Sequence, residues 1–448
     1  MNKIKISFIG AGSFVFTFKL VNDIFRYKEL HEKIECVFMD IDETRLTNLK
    51  TLLTEYITKN HLPVNTVFTT DLRKALEGAR FVFNLVKIGF YEASVQDMDI
   101  PKKYGLQQTI GDTSCVSGIF RGIRTMPFTI KMAKIMEEIS AENAIILNYT
   151  NPQPMLVMAN AQASRIPFYG LCHSIQYTTA DIGYFMNIPA GELDFEAAGI
   201  NHLSWITRLE RNGKDIYPEL REIVKKEGIY LQLPPEKIDD DDHKSFLGPS
   251  RLDMLNRVGY IVTESSYHFS EYVPYYLRSE NFIKKYNIEI DRYKKNIAGN
   301  TRIIEKYIEM AKQKNLPTVE KSFEYGPEII RSMLTGHQAT VYANVINNGL
   351  IDNLPADAAV EIKCLVDRSG IHPCRFGRLP TQCATLCSMN LNVHRLAAEA
   401  VLTHNKKAVV WAMMADPLTH TMLTIDQMEK CAEELFRIHE KFFNGVFN

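Results

Sequence analysis

The N-terminal stretch Ile4-Lys5-Ile6-Ser7-Phe8-Ile9-Gly10-Ala11-Gly12-Ser13 decides the fold class of this chain. Its apolar residues occupy alternate positions before the first glycine, which predicts a short β-strand. The glycine-rich turn then leads into an apolar-periodic stretch from Phe14 to Phe25, which predicts a helix. Strand, glycine turn and helix in this order form the first part of a βαβ unit.

A second apolar run completes this unit. Ile34–Met39 predicts the next strand, and Asp40 lies at its carboxyl end. A long helical segment begins at Asp42-Glu43 and continues to about Lys59. The chain therefore opens with a complete βαβ unit that carries an acidic residue at the end of its second strand.

The glycine turn and Asp40 together predict a dinucleotide site. Gly10 permits the tight turn, and Gly12 lets the backbone approach a pyrophosphate at the positive end of the helix. The Asp40 carboxylate can accept from a ribose hydroxyl, and it favours NAD over NADP because a 2′-phosphate would meet a like charge. Val15 replaces the third glycine of the usual motif, so a plain glycine turn is the alternative. The residues expected to bind NAD here are Gly10, Ala11, Gly12, Ser13, Phe14 and Asp40.

Strands and helices continue to alternate beyond this unit. Short apolar runs occur at Val67–Thr69, Phe81–Val86, Ala144–Leu147 and Pro167–Leu171, with helical patterns at Met126–Glu138 and Met155–Ser164. Such alternation predicts an α/β protein with a Rossmann-like, doubly wound parallel sheet.

The pattern changes after about Asn187. The candidate strands are Phe195–Gly199, Trp205–Leu209 and Val341–Ile346, and most of the remainder is helical, so an α+β region is predicted. The segment from Asn347 to Glu361 is predicted as a turn-rich loop. We expect an NAD-binding domain at residues 1–190 and a substrate, metal and oligomerisation domain at residues 191–448.

The composition is that of an ordinary globular protein. Hydrophobic residues make up 46% of the 448 residues and charged residues 23%, and 52 Lys and Arg against 53 Asp and Glu give a formal charge of −1. No net field therefore favours nucleic acid or an anionic membrane. No apolar run could cross a bilayer and no signal-peptide pattern is present, so we expect a cytoplasmic protein. The acidic run Asp239–Asp242 predicts a solvated loop, with a metal site as the alternative.

Two polar motifs follow predicted strands. Asn148-Tyr149-Thr150-Asn151-Pro152 and Cys172-His173-Ser174 each come after an apolar run, so both are expected at the edge where α/β sheets bind ligands. The asparagines can bond a nicotinamide amide or ribose and a sugar hydroxyl, with an Asn-Pro turn as the alternative.

Cys172 and His202 have the side chains that a divalent transition ion prefers, but they are only two ligands and lie far apart in sequence. A buried thiol and a hydrogen-bonded core histidine are the alternative, and a Cys-His nucleophile pair is a third possibility. The segment Thr263–Tyr272 crowds ionisable and hydroxyl groups together, which indicates either a pocket wall or a polar strand edge.

Taken together, these segments resemble glycoside hydrolase family 4, the NAD- and manganese-dependent glycosidases, over nearly the whole chain. The order and spacing of several motifs carry the resemblance: Phe8-Ile9-Gly10-Ala11-Gly12-Ser13, Met39-Asp40-Ile41-Asp42, Gly111-Asp112-Thr113, Asn148-Tyr149-Thr150-Asn151-Pro152, Cys172-His173-Ser174-Ile175-Gln176, Gly199-Ile200-Asn201-His202 and Asn348-Gly349-Leu350-Ile351-Asp352-Asn353-Leu354-Pro355.

The resemblance implies roles for the polar residues. It implies that Cys172 and His202 bind Mn²⁺ or another divalent metal. It also implies a mechanism without the usual pair of carboxylates, in which NAD takes a hydride from C3 of the sugar, a base removes the C2 proton, and the leaving group is eliminated before water adds. The residues expected to act in catalysis are His173, Tyr267 and Tyr272, those expected to bind substrate are Asp112, Asn151 and His268, and Asn148 is expected to bind the cofactor.

The Cys-His-Ser variant resembles the α-galactosidase branch of the family, which implies α-galactosides such as melibiose as substrates. The protein is also expected to form a homodimer or homotetramer. Ser114-Cys115-Val116-Ser117-Gly118 and Gly89-Phe90-Tyr91-Glu92 depart from the family pattern, so α-glucosides and α-uronides are the alternatives. An NAD-dependent 2-hydroxy-acid dehydrogenase and a non-catalytic NAD-sensing module are rivals from other classes. Net production of NADH would favour the dehydrogenase, and absence of both metal and hydrolysis would favour the sensor.

Overall fold

A computed structural model describes residues 3–189, 191–229 and 247–447 of the chain. The acidic run Asp239–Asp242 lies outside the described residues. Within the described ranges, no helix is both long enough and apolar enough to span a membrane.

The strands form a mixed sheet through the centre of the molecule. In chain order they are β1 (Ile4–Ile9), β2 (Ile34–Met39), β3 (Asn65–Thr69), β4 (Ala79–Asn84), β5 (Ile145–Asn148), β6 (Phe168–Gly170), β7 (Leu193–Ile200), β8 (Leu203–Arg211), β9 (Lys214–Asp215), β10 (Ile261–Val262), β11 (Ala339–Ile346), β12 (Ala359–Asp367) and β13 (Gly370–Pro373).

Helices surround this sheet. They are α1 (Phe14–Phe25), α2 (Glu43–Lys59), α3 (Leu72–Leu76), α4 (Phe90–Lys103), α5 (Cys115–Ile139), α6 (Gln153–Ala163), α7 (Ser174–Phe185), α8 (Tyr217–Glu227), α9 (Pro249–Val258), α10 (Ser266–Phe269), α11 (Glu280–Lys285), α12 (Arg292–Lys312), α13 (Tyr325–Thr335), α14 (Thr381–Leu402), α15 (Lys406–Ala415), α16 (Thr419–Met422) and α17 (Ile425–His439).

The N-terminal half of the sheet is parallel, as the sequence predicts. The order β6-β5-β4-β1-β2-β3 consists of parallel pairs, and their crossovers run through helices, so the Rossmann-like fold class is confirmed. Phe8 in the central strand stacks between Phe38 and Phe83, with ring centroids 4.9 and 4.8 Å apart respectively. Strands buried on both faces explain the nearly continuous apolar runs of this region.

The sheet continues past residue 190 with antiparallel strands. β11 pairs with β6 at Asn344 and Gly170, and β12, β7, β8 and β10 follow in that order. Glu361, predicted to lie in a loop, is instead inside β12, opposite Asn344 on one side and Gly199 on the other. The prediction was wrong because the turn signals of the preceding loop end at Ala358, before β12 begins.

A buried ion pair holds the chain that follows β4. The Arg124 guanidinium is fully buried and lies 2.9 and 2.5 Å from the two carboxylate oxygens of Asp97, which in turn lies 2.9 Å from His439 Nε2. Arg124 Nε also donates to the carbonyl of Ile88 at 3.0 Å. The pair thus ties α5 and α4 to the loop that forms one wall of the site.

Gly10 provides a test of how closely the first turn approaches this loop. Its φ is +83°, and a Cβ there would lie 2.8 Å from backbone atoms of Leu85 and Val86. Gly10→Ala is expected to lower the free energy of unfolding by about 3 kcal/mol or more, since backbone strain and a backbone clash combine. Urea denaturation of the cofactor-free protein measures this loss.

Gly349 is the matched control. Its φ is +84°, but a Cβ there would meet no atom within 4 Å. Gly349→Ala therefore costs only the left-handed conformation, about 1–2 kcal/mol. Equal losses in the two variants would contradict the close approach at Gly10.

Candidate active site

Two adjoining cavities open at the carboxyl edge of the parallel strands. The outer cavity has a volume of about 1190 Å³ and is bordered by the Gly10 turn and Asp40. The inner cavity has a volume of about 300 Å³ and contains most of the predicted polar site residues. Phe16 on α1 lines both cavities, so a ligand in one is a neighbour of a ligand in the other.

The outer cavity matches the predicted dinucleotide site in position. Gly10, Gly12, Ser13, Phe14 and Asp40 line it. Ala11 is fully buried, and its backbone N–H donates to the Met39 carbonyl at 2.9 Å. It therefore supports the turn from behind.

Asp40 is anchored by the backbone on both of its oxygens. One oxygen accepts from the N–H of Gly12 at 2.7 Å, and the other accepts from the N–H of Asp42 at 3.0 Å. A carboxylate has about four acceptor positions, so the side chain can still accept a ribose hydroxyl. The absence of a Cβ at Gly12 is required here, because that atom would lie 2.6 Å from the carboxylate.

Asn148, which is expected to bind the cofactor, is not among the described residues that line the outer cavity. It is fully buried at the end of β5, its Oδ1 accepts from Asn84 Nδ2 at 2.7 Å, and its Nδ2 donates to the Thr150 carbonyl at 2.9 Å. Both ends of the amide are thus used within the protein. In the structure, Asn148 shapes the turn that presents Asn151.

The predicted site residues in the inner cavity come from five separate parts of the chain. The predicted site residues that line it are Asp112, Asn151, Cys172, His173, His202, Tyr267 and His268. The strand ends explain the convergence, since Asn151 follows β5, Cys172 follows β6, and His202 occupies the turn between β7 and β8.

Cys172, His202 and Glu264 form a cluster that could hold a metal ion. One ligand atom from each lies within 4.8 Å of the others. Burial lowers the pKa of His202 to about 4, so its ring is neutral near neutral pH, as a metal ligand must be. Burial and nearby carboxylates raise the pKa of the Cys172 thiol, and a bound divalent cation would reverse that shift by stabilising the thiolate. The donor set of sulfur, nitrogen and oxygen fits a divalent transition ion.

Tyr272 orients one of these candidate ligands. It is fully buried behind the cavity wall, and its hydroxyl lies 2.9 Å from His202 Nδ1. This contact leaves His202 Nε2 for the cavity side, where it lies 3.5 Å from Glu264. Among the described residues that line the inner cavity, Tyr267 is present and Tyr272 is not. The two tyrosines predicted as candidate bases therefore have different environments.

A second polar cluster adjoins the metal candidates, with the ring centroids of His202 and His268 4.6 Å apart. His268 Nε2 is 2.9 Å from Asp112 Oδ1, and Asn151 Nδ2 donates to Asp112 Oδ2 at 2.7 Å. Burial alone would raise the pKa of Asp112, but His268 and Arg121 lower it well below its usual range. Asp112 is therefore a carboxylate that can accept from a sugar hydroxyl.

Glu271 supports this cluster from below. Its fully buried carboxylate accepts from the backbone N–H groups of Thr109, Ile110 and Gly111 at 2.6, 3.0 and 3.0 Å. The loop that ends at Asp112 is thereby fixed. Glu264 and Glu271 are functional residues that the sequence motifs miss, although both lie in the crowded Thr263–Tyr272 segment. The sequence signal that could have found them is the presence of carboxylates next to a buried strand, where such side chains are uncommon.

Comparison with known proteins identifies the family. The model for the family 4 glycosyl hydrolases matches residues 5–188, and the model for their C-terminal domain matches residues 197–419. This chain belongs to glycoside hydrolase family 4. It is therefore a glycosidase, and the rival interpretations as a dehydrogenase or as an NAD sensor are excluded.

Individual relatives of this family 4 enzyme agree over almost the full length. An α-galactosidase of Bacillus subtilis (strain 168) is 37% identical, with 97% of this chain and 98% of the relative covered. An α-galactosidase of Rhizobium meliloti (strain 1021) is 33% identical, with 97% and 88% covered. A solved 6-phospho-α-glucosidase from gut microorganisms, in complex with NAD and glucose-6-phosphate, superposes with a TM-score of 0.84 at 21% identity over 99% of each chain, which shows a shared fold.

The contact between Tyr272 and His202 leads to a prediction for metal affinity. Tyr272→Phe keeps the ring but removes the nearer partner of His202 Nδ1, at 2.9 Å, and leaves Thr113 Oγ1 at 3.4 Å. Because such outer hydrogen bonds fix the orientation of a metal-binding histidine, Mn²⁺ affinity measured by titration calorimetry is expected to fall about 10- to 100-fold.

Tyr267→Phe is the matched control, since it removes the same atom from the cavity wall without touching His202. Its Mn²⁺ affinity is expected to equal that of the unmodified enzyme. Equal affinities in all three proteins would contradict the orienting role of Tyr272.

Proposed function

We propose that this family 4 enzyme hydrolyses α-galactosides such as melibiose, with NAD and Mn²⁺ or another divalent metal ion as cofactors. The observation that carries the proposal is the junction of the two cavities at Phe16. A dinucleotide in the outer cavity would lie beside a sugar in the inner cavity, where the candidate metal ligands are gathered. The names of the two α-galactosidases, at 37% and 33% identity, support the choice of sugar.

Different residues of the chain would bind the metal ion and the dinucleotide. Cys172, His202 and Glu264 would hold the metal ion, and the Gly10 turn with Asp40 would hold NAD. When bound, NAD supplies a hydride acceptor for the sugar ring and the metal ion supplies a Lewis acid for its oxygen atoms.

Residues of the inner cavity wall would carry out the proton transfers. Tyr267 is the better candidate for removing the proton from C2 of the sugar, because the Tyr272 hydroxyl is committed to His202. His173 Nδ1 lies 2.9 Å from Glu324, which leaves Nε2 to exchange a proton with the leaving-group oxygen. Asp112 and Asn151 would orient the sugar hydroxyls, since each offers oxygen acceptors to the cavity.

The charges of the inner cavity favour a neutral sugar. Asp112 and Glu264 contribute two carboxylates to its wall. Arg292 is the one Lys or Arg among the described lining residues, and it is engaged by Glu289 at 2.7 Å. The His268 imidazole is the other cationic group of the wall, and it lies 2.9 Å from Asp112 and 3.5 Å from Glu264. Each of these cations therefore already faces a carboxylate of the protein, and neither is reserved for a phosphate or carboxylate on the sugar. This argues for a galactoside over a galacturonide or a phosphorylated glucoside.

The proposal extends to the whole molecule. It includes cytoplasmic location, assembly as a homodimer or homotetramer, and division near residue 190 into a cofactor domain and a substrate domain. The family resemblance supports the assembly, and the change from parallel to antiparallel pairing beyond β6 supports the division.

Substrate preference tests the proposed function. The full chain is assayed with NAD and Mn²⁺ on nitrophenyl α-galactoside, α-glucoside and α-galacturonide and on a 6-phosphorylated α-glucoside. We expect the α-galactoside to give the highest kcat/KM, with activity lost when NAD or metal is removed and no accumulation of NADH. Preference for a charged sugar would contradict the argument from the cavity charges.

The metal assignment has its own test in Cys172→Ser. A hydroxyl is a poor replacement for a thiolate ligand, so Mn²⁺ affinity and α-galactosidase activity are both expected to fall at least tenfold. Cys374→Ser, at a half-buried thiol outside the cavity, is the control and should behave as the unmodified enzyme. Retention of metal affinity in Cys172→Ser would remove Cys172 from the ligand set.

A further inference from the structure

A row of aromatic rings leads from the inner cavity toward the protein surface. His173 on the cavity wall makes an edge contact with Tyr177, with ring centroids 4.9 Å apart. Tyr177 makes a similar contact with Phe323 at 5.2 Å. The row therefore begins at a candidate catalytic group and ends outside the cavity.

Phe323 is held in this position although its side chain is exposed. Its relative exposure is 51%, which is high for a phenylalanine. Gln176 Nε2 donates to the carbonyl of Phe323 at 2.9 Å, and the next residue, Glu324, lies 2.9 Å from His173 Nδ1. The backbone of Phe323 is thus held against α7, and the residue that follows it is held against the cavity wall.

We propose that Tyr177 and Phe323 form a binding shelf for the leaving group of the substrate, when that leaving group is a second sugar ring. This inference rests on the proposed function, which places the galactosyl ring in the inner cavity. The second ring of a disaccharide lies on the leaving-group side of the galactosyl ring. His173, the group proposed to exchange a proton with the leaving-group oxygen, marks that side, and the shelf begins at its ring.

The chemistry of the shelf matches a neutral sugar. A pyranose ring presents C–H groups on one face and hydroxyls at its edge, and an aromatic face packs against such C–H groups without removing the hydroxyls from water. Exposed aromatic surface at a cavity mouth is also a common sign of a ligand site. The shelf therefore favours leaving groups with a ring over leaving groups without one.

The shelf is expected to act on binding more than on chemistry. Its contacts with the leaving group exist before any bond changes, so their loss weakens ground-state and transition-state binding alike. Phe323→Ala should therefore raise KM for melibiose and leave kcat for melibiose nearly the same. The ratio of kcat/KM for melibiose to kcat/KM for methyl α-galactoside should fall about five- to tenfold.

The experiment compares four full-length proteins with saturating NAD and Mn²⁺: the unmodified enzyme, Phe323→Ala, Phe323→Tyr and Trp411→Ala. Phe323→Tyr keeps an aromatic face and should restore the ratio. Trp411 is 45% exposed on α15, away from the row, so its variant controls for the loss of an exposed aromatic ring and should leave both substrates unaffected.

The outcomes distinguish an error in the proposed shelf from an error in the proposed function on which it rests. An unchanged ratio in Phe323→Ala, or equal losses on melibiose and methyl α-galactoside, would overturn the shelf while the unmodified enzyme still confirmed α-galactosidase activity. If the unmodified enzyme hydrolysed neither galactoside, the proposed function would be contradicted. The shelf, which rests on that function, would then be contradicted as well.

Discussion

The common direction of the parallel strands is the constraint on which the rest of the site depends. Because β1, β2, β4, β5 and β6 run in one direction, the residues that follow them meet at a single edge of the sheet. Gly10, Asp40, Asn151 and Cys172 are brought together in this way from the first 172 positions of the chain. Backbone pairing sets the spacing of these four residues, whereas Asp112 depends on a loop that Glu271 holds through its backbone N–H groups.

The parts of the site that could be predicted from the sequence are those set by local patterns at strand ends. The Gly10 turn, Asp40 and the two strand-end motifs could be predicted because each depends on a local pattern next to a strand. Glu361 could not, since its position depends on antiparallel pairing with two strands distant in sequence. The different environments of Tyr267 and Tyr272 could not be predicted from the sequence either. Tyr267 lies in the four-residue helix Ser266–Phe269 and lines the cavity, whereas Tyr272 lies beyond the end of that helix and is fully buried.

Electrostatics explains why so many ionisable groups can share one buried region. Glu264 and Asp112 lie beside histidines that hold the pKa of each carboxyl low, whereas burial raises the pKa of Glu361 to about 7. Glu361 is therefore partly protonated near neutral pH, which reduces the negative charge behind Cys172. A cluster of fully ionised carboxylates would repel itself and cost stability, and this arrangement avoids that cost while leaving donor atoms for a cation.

The outer cavity shows how a cofactor could be retained through repeated reactions. A hydride that is borrowed and returned leaves the dinucleotide unchanged, so fast exchange with solvent would bring no benefit. The walls come from widely separated parts of the chain: the Gly10 turn on one side, Ile304 and Ile308 of α12 on another, and Phe442 near the C-terminus on a third. The inner cavity, by contrast, has half-exposed His173 at its wall, where substrate can enter and product can leave. The fold thus builds the cofactor cavity from three distant parts of the chain and gives the substrate cavity a half-exposed wall at His173.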